Sequence, residues 1–170
     1  MASQSRGAMR IKHVGELGED SIHMIRGLES LGAEIQISDG MISVSATSGT
    51  FPCAPEKCID IGNSGTGCRF MLALASSMGS VSEITGDISL RSRPFEVITG
   101  ALADLGCSVS RTEGGGLVVS GPAVPGKVAL DLSKGSQPLS SLLIAAPSMG
   151  VNIEVEIQGE PVSQRYLELT

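Results

Sequence analysis

Four polar segments of this chain carry the residues best suited to bind a charged small molecule. They are residues 62–67, 86–93, 133–137 and 159–166, and each lies before a stretch with the apolar spacing of a helix. Four arginines lie in or beside these segments, namely Arg69, Arg91, Arg93 and Arg165. Because Arg binds phosphate and carboxylate groups bidentately and helix N-termini bind further oxygens, the pattern indicates an anion-binding site. For each arginine taken alone, with the exception of Arg93, helix capping or a surface salt bridge is the favoured interpretation.

The first of these segments joins a short apolar strand at 58–61 to an apolar run with helical spacing. Its three glycines, Gly62, Gly65 and Gly67, leave the unpaired N–H groups at the start of the predicted helix open to an anion such as phosphate. The spacing of the glycines matches neither the P-loop nor the dinucleotide-binding fingerprint, so a nucleotide loop is disfavoured. A strand-to-helix turn without a ligand remains the alternative.

The composition excludes several classes of partner. The 170 residues carry a net charge of −6 and only 2% aromatic side chains, whereas 41% of the residues are hydrophobic, which is enough for a globular core. Nucleic acids and anionic membranes are held mainly by clustered Lys and Arg, so neither is an expected partner. The sequence shows no apolar run of about 18 residues and no signal-peptide pattern, so a cytoplasmic location is expected.

Other catalytic and metal-binding arrangements are poorly supported. The cysteines are Cys53, Cys58, Cys68 and Cys107. Their spacing, with no His close by, favours neither a zinc site nor a disulfide framework, and we interpret them as reduced core thiols. His13 and His23 lie far from the polar segments in sequence, so a Ser-His-Asp or Cys-His arrangement lacks a base. No metal site is predicted.

The elements that must position the polar segments recur along the chain. Residues 25–35 align with 99–109 at an offset of 74, and residues 71–79 align with 142–150 at an offset of 71. Each unit is predicted to contain a strand, a helix, a strand, a helix and a hairpin, so we expect an α/β fold of repeated units about a pseudo-symmetry axis. Asp60 and Asp131 occupy equivalent places in two units, which indicates a shared structural hydrogen bond more than an acid–base pair.

The repeat also predicts how the chain is divided. It contains one complete unit flanked by two partial ones, and the first partial unit starts at a helix that a cap at Glu19, Asp20 and Ser21 introduces and Gly32 ends. Residues 1–14 show no clear period and are interpreted as a leader or an artificially added segment, whereas residues 15–170 form a partial domain. In the complete unit, we expect a strand at 81–85, a loop at 86–93 and a helix that starts at Pro94. Hairpins are expected at 33–46 and 108–120.

Four stretches resemble the motifs of the enolpyruvyl transferase family, in that family's order and spacing across about residues 19–170. They are Gly-Asn-Ser-Gly-Thr-Gly-Cys-Arg-Phe at 62–70, Leu-Arg-Ser-Arg-Pro-Phe at 90–95, Gly-Ser-Gln-Pro-Leu-Ser-Ser-Leu-Leu-Ile-Ala-Ala-Pro at 135–147 and Val-Ser-Gln-Arg-Tyr-Leu-Glu-Leu-Thr at 162–170. The chain is most similar to the branch of the family that acts on shikimate 3-phosphate. The resemblance implies two similar domains, each an inside-out α/β barrel of three β-α-β-α-β-β copies around a pseudo-threefold axis, of which this chain covers most of one.

The resemblance also implies an activity, in which the enolpyruvyl group of phosphoenolpyruvate moves to the 5-hydroxyl of shikimate 3-phosphate without a metal or an organic cofactor. Asn63, Gly65, Arg93 and Gln137 would lie against the phosphate of phosphoenolpyruvate. Ser136 and Ser163 would hold the phosphate of shikimate 3-phosphate, and Tyr166 would contact its ring. Arg69 matches a motif arginine that supports the loop.

The chain departs from the family pattern in three respects. Gly135 stands where the family usually has a Ser, which removes a phosphate-binding hydroxyl, and Ser3, Gln4 and Ser5 lack the Lys of the family's Ser-Lys-Ser segment. The acid and base carboxylates belong to the other domain, so no catalytic residue is assigned here and the chain is expected to be inactive without that domain or a complementary chain. A non-catalytic anion-binding module, one half of a split enzyme, and a UDP-N-acetylglucosamine enolpyruvyl transferase remain alternatives. Against the UDP-N-acetylglucosamine enzyme, its reactive Cys loop is not recognisable in this sequence.

Overall fold

The computed structural model describes residues 2–4, 7–46, 51–55, 58–133 and 135–170. The helices in this part are α1 (Glu19–Ser30), α2 (Gly65–Ala75), α3 (Ile88–Arg91), α4 (Glu96–Asp104), α5 (Gln137–Met149) and α6 (Gln164–Leu169), with a 3₁₀ turn at Ala2–Gln4. The strands are β1 (Met9–Ile11), β2 (Ala33–Ser38), β3 (Met41–Ala46), β4 (Ile59–Asp60), β5 (Val81–Thr85), β6 (Ser108–Arg111), β7 (Leu117–Ser120), β8 (Gly126–Asp131) and β9 (Ile153–Gln158). No described helix has the length and apolar character needed to cross a membrane.

The strands form three sheets, one for each predicted unit. The first has the order β1-β3-β2 and is antiparallel. The second has the order β4-β5-β7-β6, in which β4 and β5 are parallel and the other pairs are antiparallel. The third consists of the parallel pair β8 and β9. The hairpins β2–β3 and β6–β7 lie where the sequence predicts them.

Strand pairing confirms the predicted repeat. β4 and β5 pair with Ile59 opposite Ile84, and β8 and β9 pair with Leu130 opposite Ile157. At the end of the first strand of each pair, an aspartate accepts a hydrogen bond from the N–H two residues later. Asp60 Oδ1 accepts from Gly62 at 2.8 Å, and Asp131 Oδ1 accepts from Ser133 at 2.9 Å. The two aspartates therefore make the shared structural hydrogen bond that their spacing predicts.

The first unit begins earlier than the sequence indicates. β1 pairs with β3 so that Met9 lies opposite Val44, and Glu83 lies opposite Val118 in the second sheet, 74 residues later in both strands. β1 is therefore the counterpart of β5. The interpretation of residues 1–14 as a leader outside the fold is wrong for this strand and also for Gln4, which hydrogen-bonds to Ile144 and Ser148 of α5. A three-residue edge strand is too short to show an alternating pattern, which explains why the segment has no visible period.

The central packing joins two helices from equivalent places in the repeat. α2 follows β4 and α5 follows β8, and the two helices pack against each other. Residues 71–76 of α2 and its C-cap are all buried because apolar residues occur all round the helix and not along a single stripe. This packing fixes the N-terminal ends of α2 and α5 relative to each other.

Two predicted helix starts are wrong by one or two residues. α1 is capped by Gly18 without a side-chain hydrogen bond, and not by the polar residues that follow it. α4 begins at Glu96 with the buried Phe95 as its N-cap, two residues after Pro94, whose carbonyl accepts a hydrogen bond from Arg69. The predicted loop 86–93 contains α3, in which Asp87 Oδ1 accepts from the N–H of Leu90 at 2.8 Å. Short helices of this kind carry no periodic signal.

Candidate functional site

The loop between β4 and α2 is fixed by its own polar side chains. Asp60 binds the N–H of Gly62, which has a positive φ of 58°, and Ser64 Oγ accepts from the N–H of Gly67 at 3.1 Å as the N-cap of α2. The positive φ is a conformation that glycine adopts without a steric penalty. The loop therefore reaches the N-terminus of α2, where the helix dipole favours an anion.

The loop that carries α3 is tied to this first loop. The N–H of Asp87 donates to the carbonyl of Gly62 at 2.9 Å. Gly86 lies so close to that carbonyl and to the side chain of Leu90 that a Cβ atom at position 86 would overlap both. The two loops thus have a fixed relative position, although 24 residues separate Gly62 from Gly86 in sequence.

Arg93 reaches from the second loop to the first. Its Nη2 donates a 2.6 Å hydrogen bond to Asn63 Oδ1. A Cβ atom at Gly65 would lie 2.7 Å from Arg93 Nη1 and 3.2 Å from Arg69 Nη1. Two guanidinium groups therefore converge on the face of Gly65 that has no side chain. We call Asn63, Gly65 and Arg93 the loop cluster.

Arg69 braces the loop cluster from α2. Its Nη1 donates to the carbonyl of Gly65 at 2.9 Å, and its Nη2 donates to the carbonyl of Pro94 at 3.1 Å. The guanidinium carbon lies 4.8 Å from the centre of the Phe95 ring, which is a cation–π contact. Burial lowers the pKa of Arg69, and the positive charge of Arg93 lowers it further. The supporting role that the sequence indicates for Arg69 agrees with these contacts.

A cavity of about 920 Å³ lies beside the loop cluster, a size suited to a small-molecule ligand. Ser136, Gln137, Ser163 and Tyr166 line it from the N-terminal ends of α5 and α6. Thr66 and Arg69 line it from α2, and Pro94 lines it from the second loop. Ser136 is buried, whereas Tyr166 is 67% exposed. Arg69 therefore belongs both to the wall of the cavity and to the braces of the loop cluster.

The seven predicted substrate-binding residues fall into two neighbouring groups. Three form the loop cluster and four line the cavity, and Arg69 links the groups. Two other arginines singled out by sequence do not join either group. Arg91 binds the carbonyls of Gly86 and Gly114, and Arg165 lies exposed on α6 and does not line the cavity. Which ligand groups the seven residues contact stays a prediction.

Gly135, which replaces the usual Ser of the family, lines the same cavity. A Cβ atom at this position would meet no heavy atom within 4 Å, but the residue has a positive φ of 152°. A side chain there would find space at the cost of a strained backbone. The motif at 135–137 is therefore shaped by glycine and offers one hydroxyl, that of Ser136, where the family pattern has two.

Sequence reasoning missed two residues that support the loops. His23 on α1 lies against the first loop: its Nδ1 is 3.3 Å from the carbonyl oxygen of Asp60, and its Nε2 would lie 2.6 Å from a Cβ atom at Gly62. Arg111 on β6 donates hydrogen bonds to the carbonyls of Arg91 and Arg93. Neither residue belongs to a motif or a polar segment, and only the tertiary structure brings them to the site.

The cysteines do not form a reactive or metal-binding group in the described part of the chain. Cys68 and Cys107 are buried, Cys53 is half-buried and Cys58 is exposed, so the interpretation as core thiols applies to the first two. Burial raises the pKa of Cys68 to about 12, although Arg69 and Arg111 act in the opposite direction. No cluster of His, Cys, Asp and Glu among the described residues is arranged to hold a metal ion.

Comparisons with known proteins agree with the motifs. A family model described as EPSP synthase (3-phosphoshikimate 1-carboxyvinyltransferase) matches residues 1–170. The 3-phosphoshikimate 1-carboxyvinyltransferase of Methanoculleus marisnigri is 38% identical over 148 residues, which cover 85% of this chain and 35% of that protein. Its counterpart in Methanobrevibacter smithii is 32% identical over 173 residues, which cover 100% of this chain and 39% of that protein.

A solved structure shows the same fold. The EPSP synthase of Acinetobacter baumannii superposes with a TM-score of 0.73 at 27% identity, over 85% of this chain and 34% of that one. The chain thus spans little more than a third of the length of the relatives it matches. The resemblance stated from the four motifs and the repeat fold is confirmed.

Proposed function

This chain belongs to the EPSP synthase family, and we propose that it forms one wall of a cleft in which the enolpyruvyl group of phosphoenolpyruvate is transferred to the 5-hydroxyl of shikimate 3-phosphate. One observation carries the proposal. Two guanidinium groups converge on the bare face of Gly65, and one of them also lines the adjoining cavity. Two anionic substrates that react with each other need two neighbouring anion sites of this kind.

In the proposed site, the loop cluster binds the phosphate of phosphoenolpyruvate. Arg93 supplies a charged donor, and the amide of Asn63 supplies neutral donors because its oxygen is already bound to Arg93. Because Gly65 has no side chain, the guanidinium groups of Arg93 and Arg69 can reach this face of the loop, and the N-terminus of α2 adds its dipole. Gln137 approaches the same phosphate from the start of α5.

Shikimate 3-phosphate occupies the cavity. The hydroxyls of Ser136 and Ser163 bind its phosphate, and Tyr166 lies along its ring. Ser136 is the buried N-cap of α5 and makes no capping hydrogen bond, so its hydroxyl can bind a ligand instead. In this arrangement the chain binds and orients both substrates, and the groups that transfer protons come from the rest of the protein or from a complementary chain.

The relatives favour this substrate over the alternative of UDP-N-acetylglucosamine, since those reported above carry the name 3-phosphoshikimate 1-carboxyvinyltransferase. The UDP-N-acetylglucosamine enzymes also need a reactive thiol, and Cys68 does not suit that role because it is buried and has a pKa of about 12. We retain the cytoplasmic location as part of the proposal, together with the absence of a metal or organic cofactor from the reaction.

Binding is tested by titrating the isotope-labelled chain with shikimate 3-phosphate and following the signals of Gln137, Ser163 and Tyr166 by NMR. We expect these signals to shift, with weak affinity because a half-site lacks the contacts of the closed cleft. Glu34, which is exposed on β2 in the first sheet, gives a control signal that should not move. Shifts confined to other residues, or none at saturating ligand, would contradict the assignment.

Activity is tested by supplying the missing part. The remaining two thirds of the Methanoculleus marisnigri relative are joined to this chain in place of the matched segment, and phosphate release is measured with both substrates present. Release that requires both substrates and is lost in Arg93→Gln supports the enzyme. A folded chimera that binds phosphoenolpyruvate without turnover would favour an anion-binding module.

A further inference from the structure

The β6–β7 hairpin holds the loop that carries Arg93, through a guanidinium that no sequence motif identifies. Arg111, the last residue of β6, donates from Nη1 to the carbonyl of Arg91 at 2.7 Å and to the carbonyl of Gly115 at 3.2 Å. Its Nη2 donates to the carbonyl of Arg93 at 3.3 Å. One rigid fork therefore fixes the backbone of Arg93 and of the residue two positions before it.

The glycine turn of the same hairpin receives a second guanidinium. Arg91 Nε donates to the carbonyl of Gly86 at 2.7 Å, and Arg91 Nη1 donates to the carbonyl of Gly114 at 3.0 Å. A Cβ atom at Gly115, whose φ is 82°, would lie 3.0 Å from the Cβ of Arg91. The turn thus needs glycine both for its conformation and for the close approach of Arg91.

We propose that Arg111 is a positioning residue, which holds Arg93 in the orientation that binds the phosphate of phosphoenolpyruvate. The inference rests on the proposed function of Arg93. Because the carbonyls of Arg91 and Arg93 are both bound, the backbone from which the Arg93 side chain leaves has a fixed direction. That side chain then spans to Asn63 Oδ1 and covers Gly65. Among the described residues, the acceptors of the Arg111 hydrogen bonds are neutral carbonyl oxygens, which do not neutralise its charge.

A competing role for Arg111 is that of a distant positive charge that attracts the anion. Its charge already reaches the first turn of α2, where it lowers the pKa of Cys68 against the larger effect of burial. The two roles differ in what a lysine does at this position. Lysine keeps the charge but loses the planar fork that binds two carbonyls in fixed directions.

The test compares the 170-residue chain with its Arg111→Lys and Arg111→Gln variants at constant ionic strength. Phosphoenolpyruvate is titrated calorimetrically, and the side-chain Nε–Hε signal of Arg93 is recorded by NMR before any ligand is added. Arg10→Lys and Arg10→Gln provide matched changes at an exposed arginine of β1, in a different sheet. Arg93→Gln reports on the anion site itself, and thermal melting shows that each variant is folded.

We expect both Arg111 variants to bind phosphoenolpyruvate about five- to tenfold more weakly, because an Arg93 that is no longer held in place loses most of one charge-assisted hydrogen bond to the phosphate, which is worth about a factor of ten. In both, the Arg93 signal broadens or shifts toward that of a free side chain, and the Arg10 variants match the original chain. Wild-type affinity and an unchanged Arg93 signal in Arg111→Lys would overturn the inference in favour of charge alone.

The two proposals fail in different ways. If Arg93→Gln binds phosphoenolpyruvate as well as the original chain, the anion site of the proposed function is wrong. If Arg93→Gln loses binding but both Arg111 variants retain it with a sharp Arg93 signal, only the positioning role is wrong. The Arg93 signal without ligand tests the positioning role even when affinity is too weak to measure, and an unchanged signal in both variants overturns it.

Discussion

Arg93 donates a 2.6 Å hydrogen bond to the side-chain oxygen of Asn63, across 30 residues of sequence. The bond has two consequences for an anion. It orients the guanidinium over Gly65, and it fixes the amide of Asn63 so that its oxygen faces Arg93 and its N–H donors are turned to other partners. A neutral acceptor leaves the charge of Arg93 uncompensated, which a carboxylate in the same place would not do.

The first prediction exchanges that acceptor for an isosteric charge. Asn63→Asp keeps a partner for Arg93 and should leave the thermal stability unchanged or slightly raised, because the exposed ion pair adds no more than about 1 kcal/mol. Its affinity for phosphoenolpyruvate should fall more than about tenfold, since it loses the amide donors and repels the phosphate. Thermal melting and calorimetric titration measure the two quantities.

Asn63→Ala serves as the matched control. It loses both the acceptor and the donors without adding a charge, so its affinity should lie between those of the original chain and Asn63→Asp. An aspartate variant that binds phosphoenolpyruvate as tightly as the original chain would show that the anion does not approach this amide.

The second prediction concerns a methyl group added at Gly65. In Gly65→Ala the nearest contacts of the new methyl group would be with the side chains of Arg93 and Arg69, so these flexible groups can yield. We expect the free energy of unfolding to stay within about 1 kcal/mol while the affinity for phosphoenolpyruvate falls and that for shikimate 3-phosphate is retained. Parallel titrations with the two substrates measure the difference.

Gly100→Ala is the control for this glycine exchange. Gly100 lies exposed in α4, and a Cβ atom there would meet nothing within 4 Å. Because alanine favours a helix interior over glycine, chemical denaturation should show a gain of about 1 kcal/mol with no change in either affinity. Equal losses of both affinities in Gly65→Ala would indicate a general distortion of the site.

The third prediction concerns stability at high pH. The pKa of Cys68 is about 12 in the folded chain because burial disfavours the thiolate, against an ordinary value of 9.0. The contribution of the Cys68 thiol to the free energy of unfolding is fully present below pH 9. Between pH 9 and 12 the unfolded chain releases a proton that the folded chain keeps, so the free energy of unfolding falls by up to about 1.4 kcal/mol per pH unit.

Cys68→Ala isolates this contribution. The variant loses stability at pH 7 because it leaves a small cavity, but its free energy of unfolding should fall less steeply than that of the original chain above pH 9. Burial also raises the pKa of Cys107, and partial desolvation beside Glu83 and Asp60 raises that of Cys58, which is otherwise exposed. Both thiols contribute the same slope to both proteins. The free energy of unfolding is measured by chemical denaturation at several pH values from 8 to 10.5. If it falls equally steeply with pH in both proteins, Cys68 ionises normally in the folded chain.

The repeat was the part of the fold most open to prediction from sequence. Equivalent units must bury equivalent helix faces, so apolar spacing and the glycines at helix ends recur, and the aspartate turns at Asp60 and Asp131 recur with them. β1 was not predicted, because its pairing with β3 defines the strand and its own three residues show no alternating pattern. The start of α4 was predicted two residues too early, because proline is typical of a first helical position but here lies before the N-cap Phe95.

The site was predictable where local chemistry defines it. Glycines and small polar residues mark the loops before α2 and α5 because those loops must leave N–H groups open. Arg111 and His23 left no such mark. Each lies on a regular element and acts through contacts with backbone carbonyls of a distant loop, and any exposed strand arginine or helix histidine has the same local sequence pattern.

The last prediction concerns His23 of α1, which contacts the loop between β4 and α2. Its Nδ1–H donates to the carbonyl of Asp60, and its ring occupies the space beside Gly62. His23→Ala removes the ring, so we expect the unfolding free energy to fall by about 1 kcal/mol and the affinity for phosphoenolpyruvate to fall a few-fold. His23→Gln restores a donor without the ring and should recover part of both.

Arg26→Ala is the control for His23→Ala. Because Arg26 is an exposed residue of the same helix, this variant should change neither the unfolding free energy nor the affinity. A His23→Ala variant that loses stability with unchanged affinity would show that the loop keeps its shape without this contact.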